Sequence, residues 1–384
     1  MTHPLVAWAD QVLPDLLKDI EQLVRCESPS ADHDAVARSA DIVAGIGKER
    51  IGVAPERIVI DGFSHLRWAL GSADPDAPRV LLLAHHDTVW PVGSLQTTPY
   101  SVGDGVLRGP GCFDMLTGLA MAIHVVGSLR ELQHATPTAA VTLLVTGDEE
   151  IGSPSSRVLI EQEARECRAA LVLEASADGG ALKIGRKGVS LYQVELVGRA
   201  SHAGLEPEAG LNATIEMAHQ IGVVAGFAHP ERGTTVTPTL ASAGSTMNTV
   251  PAHASFTVDV RTLTAAEQER VDRAIRSLES VTGTKLFTTG GINRPPLESA
   301  ASAYLWRRFC AVAEQLHLPP VGAAVVGGAS DGNFTAGMGV PTLDGLGAVG
   351  GGAHSDQEHV IVAEIPRRTA LLAGLVRDLL ELNS

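Results

Sequence analysis

The segment VTLLVTGDEEIGSPSSR, residues 141–157, joins an apolar run to a cluster of three adjacent acidic residues. The run at 141–145 predicts a buried strand. The acidic residues that follow it are Asp148, Glu149 and Glu150. Neighbouring carboxylates repel one another, so each raises the free energy needed to ionise the next. The cluster is therefore either a solvated loop, which is common at strand ends, or part of a cation site, where a bound ion reverses the local electrostatics.

The composition indicates a globular, acidic protein. With 384 residues, the chain is long enough for a large core and two domains. Hydrophobic residues make up 45% of it and the mean hydropathy is +0.13, which excludes a disordered chain. The net charge of −15 argues against a nucleic-acid partner, because binding to phosphates requires a basic face.

The cysteines and the N-terminal segment bear on the compartment. No CxxC pair occurs, which argues against a zinc ribbon or a disulfide framework and fits a reducing environment. The four scattered cysteines are Cys26, Cys112, Cys167 and Cys310. Residues 5–25 have the pattern of an amphipathic helix, not of a signal peptide. No stretch reaches the roughly 18 apolar residues of a membrane span. We therefore expect a cytoplasmic protein without a membrane partner.

Apolar strands alternate with helical patterns in the first half of the chain. The runs RVLLLAHHD (79–87), AAVTLLVTG (139–147) and AALVLEAS (169–176) are almost continuously apolar. Strands of this kind are buried on both faces, as in a parallel sheet between helices. The predicted fold class is α/β, with a mainly parallel sheet covered by helices on both faces.

The pattern changes after Lys187. The segments at 189–200 and 253–262 alternate polar and apolar residues, as half-exposed strands do. With the intervening helical patterns, the order is β-α-β-β-α-β, which predicts a ferredoxin-like α+β layer. The expected domains are a catalytic α/β domain at 1–187 and 297–384 and an inserted domain at 188–296.

Metal-binding residue types follow the buried strands. Because sites in open α/β sheets form beyond the carboxyl ends of the strands, we expect these residues to converge. A glycine-rich loop far downstream adds a further histidine. The candidates are His85, Asp87, Asp114, Glu149, Glu150, Glu174 and His354.

Each candidate taken alone also has a structural explanation: Asp114, for example, is suited to cap a helix, and His354 to sit in a loop. Together they favour a metal site, where Asp87 accepts a hydrogen bond from the ring of His85 and fixes its tautomer. Two histidines and three carboxylates suit Zn²⁺ or a similar ion. Five ligands exceed the needs of one tetrahedral ion, which predicts two ions sharing a carboxylate.

The motifs match a known family in order along nearly the whole chain. The chain resembles the M20 peptidases, and within them the glutamate carboxypeptidase branch. One departure is Leu116, which stands where the family usually has lysine in Asp-Met-Lys. The matching segments are HHDTV (85–89), RGPGCFDM (108–115), DEEIGS (148–153), LEAS around Glu174, SHAG (201–204), GGASDGNF (327–334) and GLGAVGGGAHSDQEHV (345–360).

The resemblance implies a role for each candidate. Asp114 bridges two zinc ions, for which cobalt or manganese can substitute. The remaining ligands are His85 and Glu174 on one ion and Glu150 and His354 on the other. Glu149, left without a metal, takes a proton from the attacking water and passes it to the leaving amine, and Asp87 supports catalysis beside His85.

The resemblance also implies that the 188–296 domain is a lid through which two subunits dimerise. His202 would reach into the partner's site, and Asn248 and Arg261 would hold the substrate carboxylate, since arginine offers paired planar donors. Lys187 and Arg294 are further candidates for this basic pocket. His202 and Arg261 also have plain explanations, as a turn histidine and a surface strand residue.

The implied activity is that of a di-zinc peptidase or amidohydrolase that removes a C-terminal amino acid, such as glutamate, from a peptide or N-acyl substrate. A deacylase of N-acyl amino acids, similar to aminoacylase or acetylornithine deacetylase, is the main alternative. A non-catalytic metal-binding or partner-binding protein is another, although such a relative would be expected to lack Glu149 or a ligand. A serine hydrolase requires a GxSxG elbow, which GASDG (328–332) does not match.

Overall fold

The computed structural model describes residues 2–74, 76–129 and 139–381, and the chain divides into two compact units. The first unit comprises Met1–Gly185, Ser299–Val326 and Ser330–Ser384. The second comprises Arg186–Glu298 and Gly327–Ala329, and the segment 188–296 lies inside it.

The helices and strands alternate along the chain. The helices are α1 (Pro4–Arg25), α2 (His33–Ile51), α3 (Thr117–Ser128), α4 (Arg157–Arg165), α5 (Ala213–Ala225), α6 (Ala265–Arg276), α7 (Ser299–Gln315), α8 (Gly332–Gly337) and α9 (Glu364–Glu381). The strands are β1 (Glu56–Ile60), β2 (Phe63–Gly71), β3 (Arg79–His85), β4 (Ser101–Gly103), β5 (Val106–Arg108), β6 (Ala140–Thr146), β7 (Ala169–Val172), β8 (Leu182–Arg186), β9 (Gly188–Val197), β10 (Thr235–Ala243), β11 (His253–Thr262), β12 (Lys285–Arg294), β13 (Ala323–Val326), β14 (Thr342–Leu343), β15 (Gly350–Gly351) and β16 (His359–Ile361).

A six-stranded sheet in the order β1-β2-β6-β3-β7-β14 organises the first unit. The pairings among β6, β3, β7 and β14 are parallel, and β1 and β2 add an antiparallel edge. Leu82 belongs to the large core cluster on one side, whereas Leu81 and Leu83 belong to a second cluster on the other. Since successive strand residues face opposite sides, both faces of the sheet are buried. The predicted mainly parallel α/β sheet is confirmed.

The second unit is built on the sheet β10-β11-β9-β12, in which all neighbours are antiparallel. The element order β9-α5-β10-β11-α6-β12 is the predicted β-α-β-β-α-β order. Every second residue of β9 and β11 is buried, and side chains such as Val194, Phe256 and Val258 form the core together with Val271 of α6. The ferredoxin-like prediction for this segment is therefore confirmed.

All four cysteines are free thiols: Cys112 and Cys167 are buried, and Cys26 and Cys310 are half-buried. Among the residues that the structure describes, no helix combines the length and the apolar character needed to cross a membrane. The N-terminal amphipathic pattern corresponds to α1, whose first turn is capped by the side chain of His3.

A buried ion cluster joins the first three helices. Asp19 of α1 accepts hydrogen bonds from Arg50 of α2, at 2.7 and 3.1 Å, and from the His124 ring of α3, at 2.8 Å. Burial raises the pKa of Asp19, but the hydrogen bonds from His124 and Arg50 outweigh it, and the net pKa lies below the ordinary value of 3.8. The ionised form is therefore bound more strongly in the folded state than in the unfolded state.

We expect Asp19→Asn to lower the free energy of unfolding by about 3 kcal/mol at pH 7, because Arg50 loses its buried counter-charge. The folded-state pKa is depressed, so this contribution is present above the unfolded pKa and disappears as the pH falls through the folded one. Denaturant unfolding at pH 7, 4 and 3 should show the difference between wild type and variant shrinking. Asp15→Asn is the control, because exposed Asp15 contacts the same arginine. A difference undiminished at pH 3 would contradict the assignment.

Helix α3 approaches the end of β7 closely at Gly118. A Cβ atom on Gly118 would lie 2.0 Å from the carbonyl oxygen of Leu173 and 3.3 Å from the Cα atom of Gly347. Only glycine therefore fits between the helix and this strand end, which leads directly to Glu174. The contact fixes the distance between α3 and one of the candidate site residues.

Gly118→Ala should destabilise the protein by about 1–3 kcal/mol, because a backbone contact of this kind is relieved only by moving the helix. Gly45→Ala is a matched control in the exposed interior of α2, where a Cβ would meet no atom within 4 Å. The control should gain about 0.5–1 kcal/mol from the better helix propensity of alanine. Equal effects of the two variants in thermal unfolding would refute the proposed close packing.

Candidate metal centre

Five predicted ligands lie at one edge of the first unit. Strands β3, β6 and β7 are parallel neighbours, so their carboxyl ends meet at the same edge. His85 ends β3, Glu150 follows β6 and Glu174 follows β7. Asp114 lies in the irregular turn before α3, and His354 in the loop between β15 and β16. Tertiary structure thus gathers residues that the sequence separates widely.

The carboxylate of Asp114 lies between the two histidines. Its Oδ1 atom is 3.5 Å from His85 Nε2, and its Oδ2 atom is 3.2 Å from His354 Nε2. His85 Nε2 is also 3.6 Å from Glu174 Oε1, and His354 Nε2 is 3.3 Å from Glu150 Oε2. The five side chains therefore form two groups, each with one histidine and one terminal carboxylate, that share Asp114.

The donor atoms fit metal ions. Two ligands about 2.1 Å from one tetrahedral ion are about 3.4 Å apart, which is close to the separations within each group. His85 Nε2, Asp114 Oδ1 and Glu150 Oε1 are buried and have no hydrogen-bond partner. Buried polar atoms without partners are costly, and cations at these positions would satisfy them. The three residues also offer ligand atoms that all lie within 4.8 Å of one another.

The carboxylates make the site strongly negative. Hydrogen bonds to Asp114 and Glu150 raise the pKa of His354 to about 10. Burial opposes protonation of His85, but its contacts with Asp114, Asp87 and Glu174 raise its pKa well above the usual value. Burial likewise opposes ionisation of Asp114, and the two histidines lower its pKa. Without a metal, protons on the histidines supply the positive charge that the carboxylates require.

Asp87 orients His85 mainly through its backbone. The Nδ1 atom of His85 is 2.9 Å from the Asp87 carbonyl oxygen but 3.5 Å from the nearest carboxylate oxygen. A carbonyl only accepts hydrogen bonds, so Nδ1 carries the proton and Nε2 faces the site. The predicted tautomer control by the Asp87 carboxylate is thus corrected: the shorter bond comes from its carbonyl.

The Asp87 carboxylate instead holds the acidic turn. It accepts hydrogen bonds from the hydroxyl of Ser30, at 2.6 Å, and from the backbone N–H groups of Glu149 and Glu150, at 3.2 and 3.1 Å. Asp87 is fully buried, and these bonds help to lower its pKa although burial raises it. The residue therefore links the end of β3 to the turn that follows β6.

The three adjacent acids have separate surroundings. Asp148 is buried and accepts hydrogen bonds from the backbone and hydroxyl groups of Ser155 and Ser156, which precede α4. Glu150 faces His354. Glu149 is buried and offers a carboxylate oxygen within 4.8 Å of the ligand atoms of His85 and Glu174. The solvated-loop interpretation of the cluster is therefore wrong.

Sequence reasoning assigned no role to Glu358, yet its buried carboxylate contacts the turn that carries Asp114. It accepts hydrogen bonds from the backbone N–H groups of Gly111, Phe113 and Asp114 and from the indole N–H of Trp90. The signal available in the sequence was an acid four residues after His354 in the same glycine-rich segment.

The predicted substrate-binding residues all lie in the second unit. His202 bridges to Thr249, and the N–H of Ala203 donates to the Asn248 carbonyl oxygen at 2.9 Å, so these two segments are paired. Arg261 and Arg294 are both in register with Val189, on either side of β9, and Lys187 directly precedes that strand. The five residues thus form two groups within this unit.

Arg261 already has a carboxylate partner. Its Nε and Nη2 atoms donate to the two carboxylate oxygens of Asp259, at 2.7 and 2.8 Å. This paired geometry is the one with which arginine binds carboxylates most strongly. A substrate carboxylate bound by Arg261 in the same way would replace Asp259.

Comparison with known proteins identifies the family. Peptidase family M20/M25/M40 matches residues 81–378. Carboxypeptidase G2 of Pseudomonas sp. (strain RS-16) is 30% identical over 381 residues, covering 95% of this chain and 89% of that protein. The succinyl-diaminopimelate desuccinylase of Rhodospirillum centenum (strain ATCC 51521 / SW) is 26% identical, covering 93% of this chain and 95% of the enzyme.

Solved structures agree in fold. The M20 family metallo-carboxypeptidase Sso-CP2 from Sulfolobus solfataricus superposes with a TM-score of 0.74 at 15% identity, over 95% of this chain and 99% of its own. A putative aminohydrolase from methicillin-resistant Staphylococcus aureus gives a TM-score of 0.77 at 15% identity, over 99% and 100% of the two chains. The family match, which spans most of the sequence, and the relative at 30% identity show that this chain belongs to peptidase family M20/M25/M40 and is a metal-dependent hydrolase.

Proposed function

We propose that the chain is a two-zinc hydrolase that removes a C-terminal amino acid, with glutamate as the leading candidate, from a peptide or N-acyl substrate. The observation that supports it is the position of Asp114, whose two carboxylate oxygens face different histidines. A carboxylate in this position is suited to bridge two ions. Similarity to carboxypeptidase G2 supports the choice of a C-terminal residue as leaving group.

In this proposal each ion has one histidine and one terminal carboxylate besides Asp114. Nitrogen and oxygen ligands without thiolates suit Zn²⁺, and Co²⁺ or Mn²⁺ can substitute. The pairs are His85 with Glu174 and Glu150 with His354. When bound, the ions would supply Lewis acidity at the scissile carbonyl and make a water molecule acidic enough to react near neutral pH.

Glu149 is the proposed general base. Its carboxylate is buried beside the ligands, and its backbone is fixed by Asp87. From this position it would accept a proton from the attacking water and deliver it to the leaving nitrogen, so that one side chain serves both transfers. Its distance from His85 and Glu174 also permits metal binding by Glu149, and the variant described below separates the two roles.

The second unit would provide substrate binding and the dimer contact. Arg261 would exchange Asp259 for the substrate carboxylate, with Asn248, Lys187 and Arg294 adding polar and positive groups. His202 would contribute to the site of the partner subunit in a homodimer. The free thiols are compatible with a cytoplasmic location, which we propose as well.

A deacylase acting on N-acyl amino acids is the second candidate. The succinyl-diaminopimelate desuccinylases, which are 24–26% identical over more than 90% of this chain, favour it. Both candidates break an amide bond beside an amino acid at the same centre. They differ in which side of the bond is recognised, and a substrate series therefore distinguishes them.

Metal dependence and the role of Glu149 can be tested together. Dialysis against a chelator should abolish hydrolysis of an N-acyl-glutamate, and Zn²⁺ or Co²⁺ should restore it. Glu149→Gln should keep the wild-type metal content but lower kcat by about 10²–10⁴-fold, because it removes the proton acceptor. Metal content by elemental analysis and steady-state kinetics are the measurements.

Glu166→Gln, an exposed position at the end of α4, is the control and should retain full activity. Hydrolysis that is insensitive to the chelator would refute the metal mechanism. Full turnover by Glu149→Gln would eliminate Glu149 as the base, and loss of metal from that variant would make it a ligand instead.

The carboxylate clamp predicts a selective loss. Arg261→Ala should lower kcat/KM for N-acyl-glutamate by about 10–100-fold, mainly through KM, because it removes paired charge-assisted hydrogen bonds. Kinetics on N-acyl-glutamate, -aspartate, -leucine and -ornithine would measure both this loss and the preference of the wild type. Arg273→Ala, at an exposed position of α6, should leave kcat/KM unchanged. Unaltered KM values in Arg261→Ala would exclude the clamp, and a preference for the ornithine or leucine derivative would exclude the acidic specificity.

A further inference from the structure

Glu358 carries a buried carboxylate whose hydrogen-bonding capacity is filled by four N–H donors. Its Oε2 atom accepts from the Trp90 indole at 2.8 Å and from the Gly111 backbone at 2.9 Å. Its Oε1 atom accepts from the backbone of Phe113 at 2.9 Å and of Asp114 at 3.0 Å. With two donors on each oxygen, the carboxylate is committed to these contacts and is not available as a metal ligand.

The four bonds connect two parts of the chain that hold opposite sides of the proposed two-ion site. Glu358 lies four residues after His354 on the same loop. The donors Gly111, Phe113 and Asp114 belong to the turn that carries the shared carboxylate. One side chain therefore ties the His354 loop to the Asp114 turn, across a sequence separation of 244 to 247 residues.

The turn depends on this side chain for its backbone hydrogen bonds. The N–H groups of Gly111 and Phe113 are buried, and their bonds to Glu358 are the ones recorded for them. A buried N–H without an acceptor costs about 1–3 kcal/mol, so the turn would rearrange if the carboxylate were removed. Any rearrangement moves Asp114, because its own N–H is among the donors.

We propose that Glu358 is a positioning residue of the metal centre, which binds no ion itself but holds the Asp114 carboxylate between His85 and His354. The inference rests on the proposed two-metal function. It adds that the affinity for metal depends on a residue outside the ligand set. Groups that orient metal ligands typically contribute 10–100-fold to metal affinity.

The variants follow from the hydrogen-bond pattern. Glu358→Gln keeps the size of the side chain but turns one acceptor into a donor, which then faces two N–H groups. Glu358→Asp keeps the acceptor and the charge but is one methylene shorter, so it can satisfy only part of the turn. Asp356→Asn is the control: it removes the same charge from the same loop at an exposed position.

The decisive measurement is the affinity of the metal-free proteins for Zn²⁺, obtained by competition with a chromophoric chelator, together with the absorption spectrum of the Co²⁺ forms. We expect Glu358→Gln to bind metal 10–100-fold more weakly than wild type and to give an altered Co²⁺ spectrum. Glu358→Asp should fall between the two, and Asp356→Asn should stay within about twofold of wild type. Circular dichroism and thermal unfolding of each metal-free variant establish that it is folded.

The outcomes separate the proposals. A folded Glu358→Gln protein with wild-type affinity and spectrum would overturn the inference, even if its stability is reduced, because a purely structural role predicts that result. If Glu358→Gln does not fold, Glu358→Asp decides in the same way: weakened affinity in the folded protein supports positioning and unchanged affinity overturns it. Failure of the wild type to bind Zn²⁺ would instead refute the two-metal function.

Discussion

Mutual repulsion among buried carboxylates is the constraint around which the first unit is built. Asp114, Glu149, Glu150 and Glu174 converge where three parallel strands end, in a region largely closed to water. Such a cluster is stable only when positive charge enters it. The metal-free structure meets this need with protonated histidines, and a pair of cations would meet it better, since cations also satisfy the buried atoms that lack hydrogen bonds.

Other acids of the first unit hold backbone instead of facing the cluster. Asp87 binds the N–H groups of Glu149 and Glu150, Asp148 binds the segment before α4, and Glu358 binds the Asp114 turn. Each of these buried charges is compensated by several N–H or O–H donors, which is the usual way to stabilise a carboxylate away from water. The acidic composition therefore serves two purposes near the site: one set of acids forms it and a second set fixes its geometry.

The sequence was sufficient for the architecture. Continuous apolar runs predicted the parallel strands, alternation predicted the ferredoxin-like sheet, and the strand-end rule brought His85, Glu150 and Glu174 together. It was insufficient for hydrogen bonds between distant residues, such as those from Glu358 to Gly111 and from the Glu149 backbone to the Asp87 carboxylate. These depend on which donors remain unpaired after the chain has folded, and no local pattern encodes that. The Asp259 partner of Arg261 was missed although it is only two residues away, because period-two spacing places many strand pairs on one face and few of them bond.

The Arg261–Asp259 pair has a consequence for selectivity among anions. A tethered carboxylate competes at high effective concentration, so a free monocarboxylate from the medium gains little by displacing it. A ligand anchored at a second point, for instance by metal ions, is held nearby and competes on equal terms. Under the proposed role of Arg261, the internal partner thus acts as a filter that keeps the guanidinium from being blocked by simple organic acids and reserves it for molecules that engage the protein at two places.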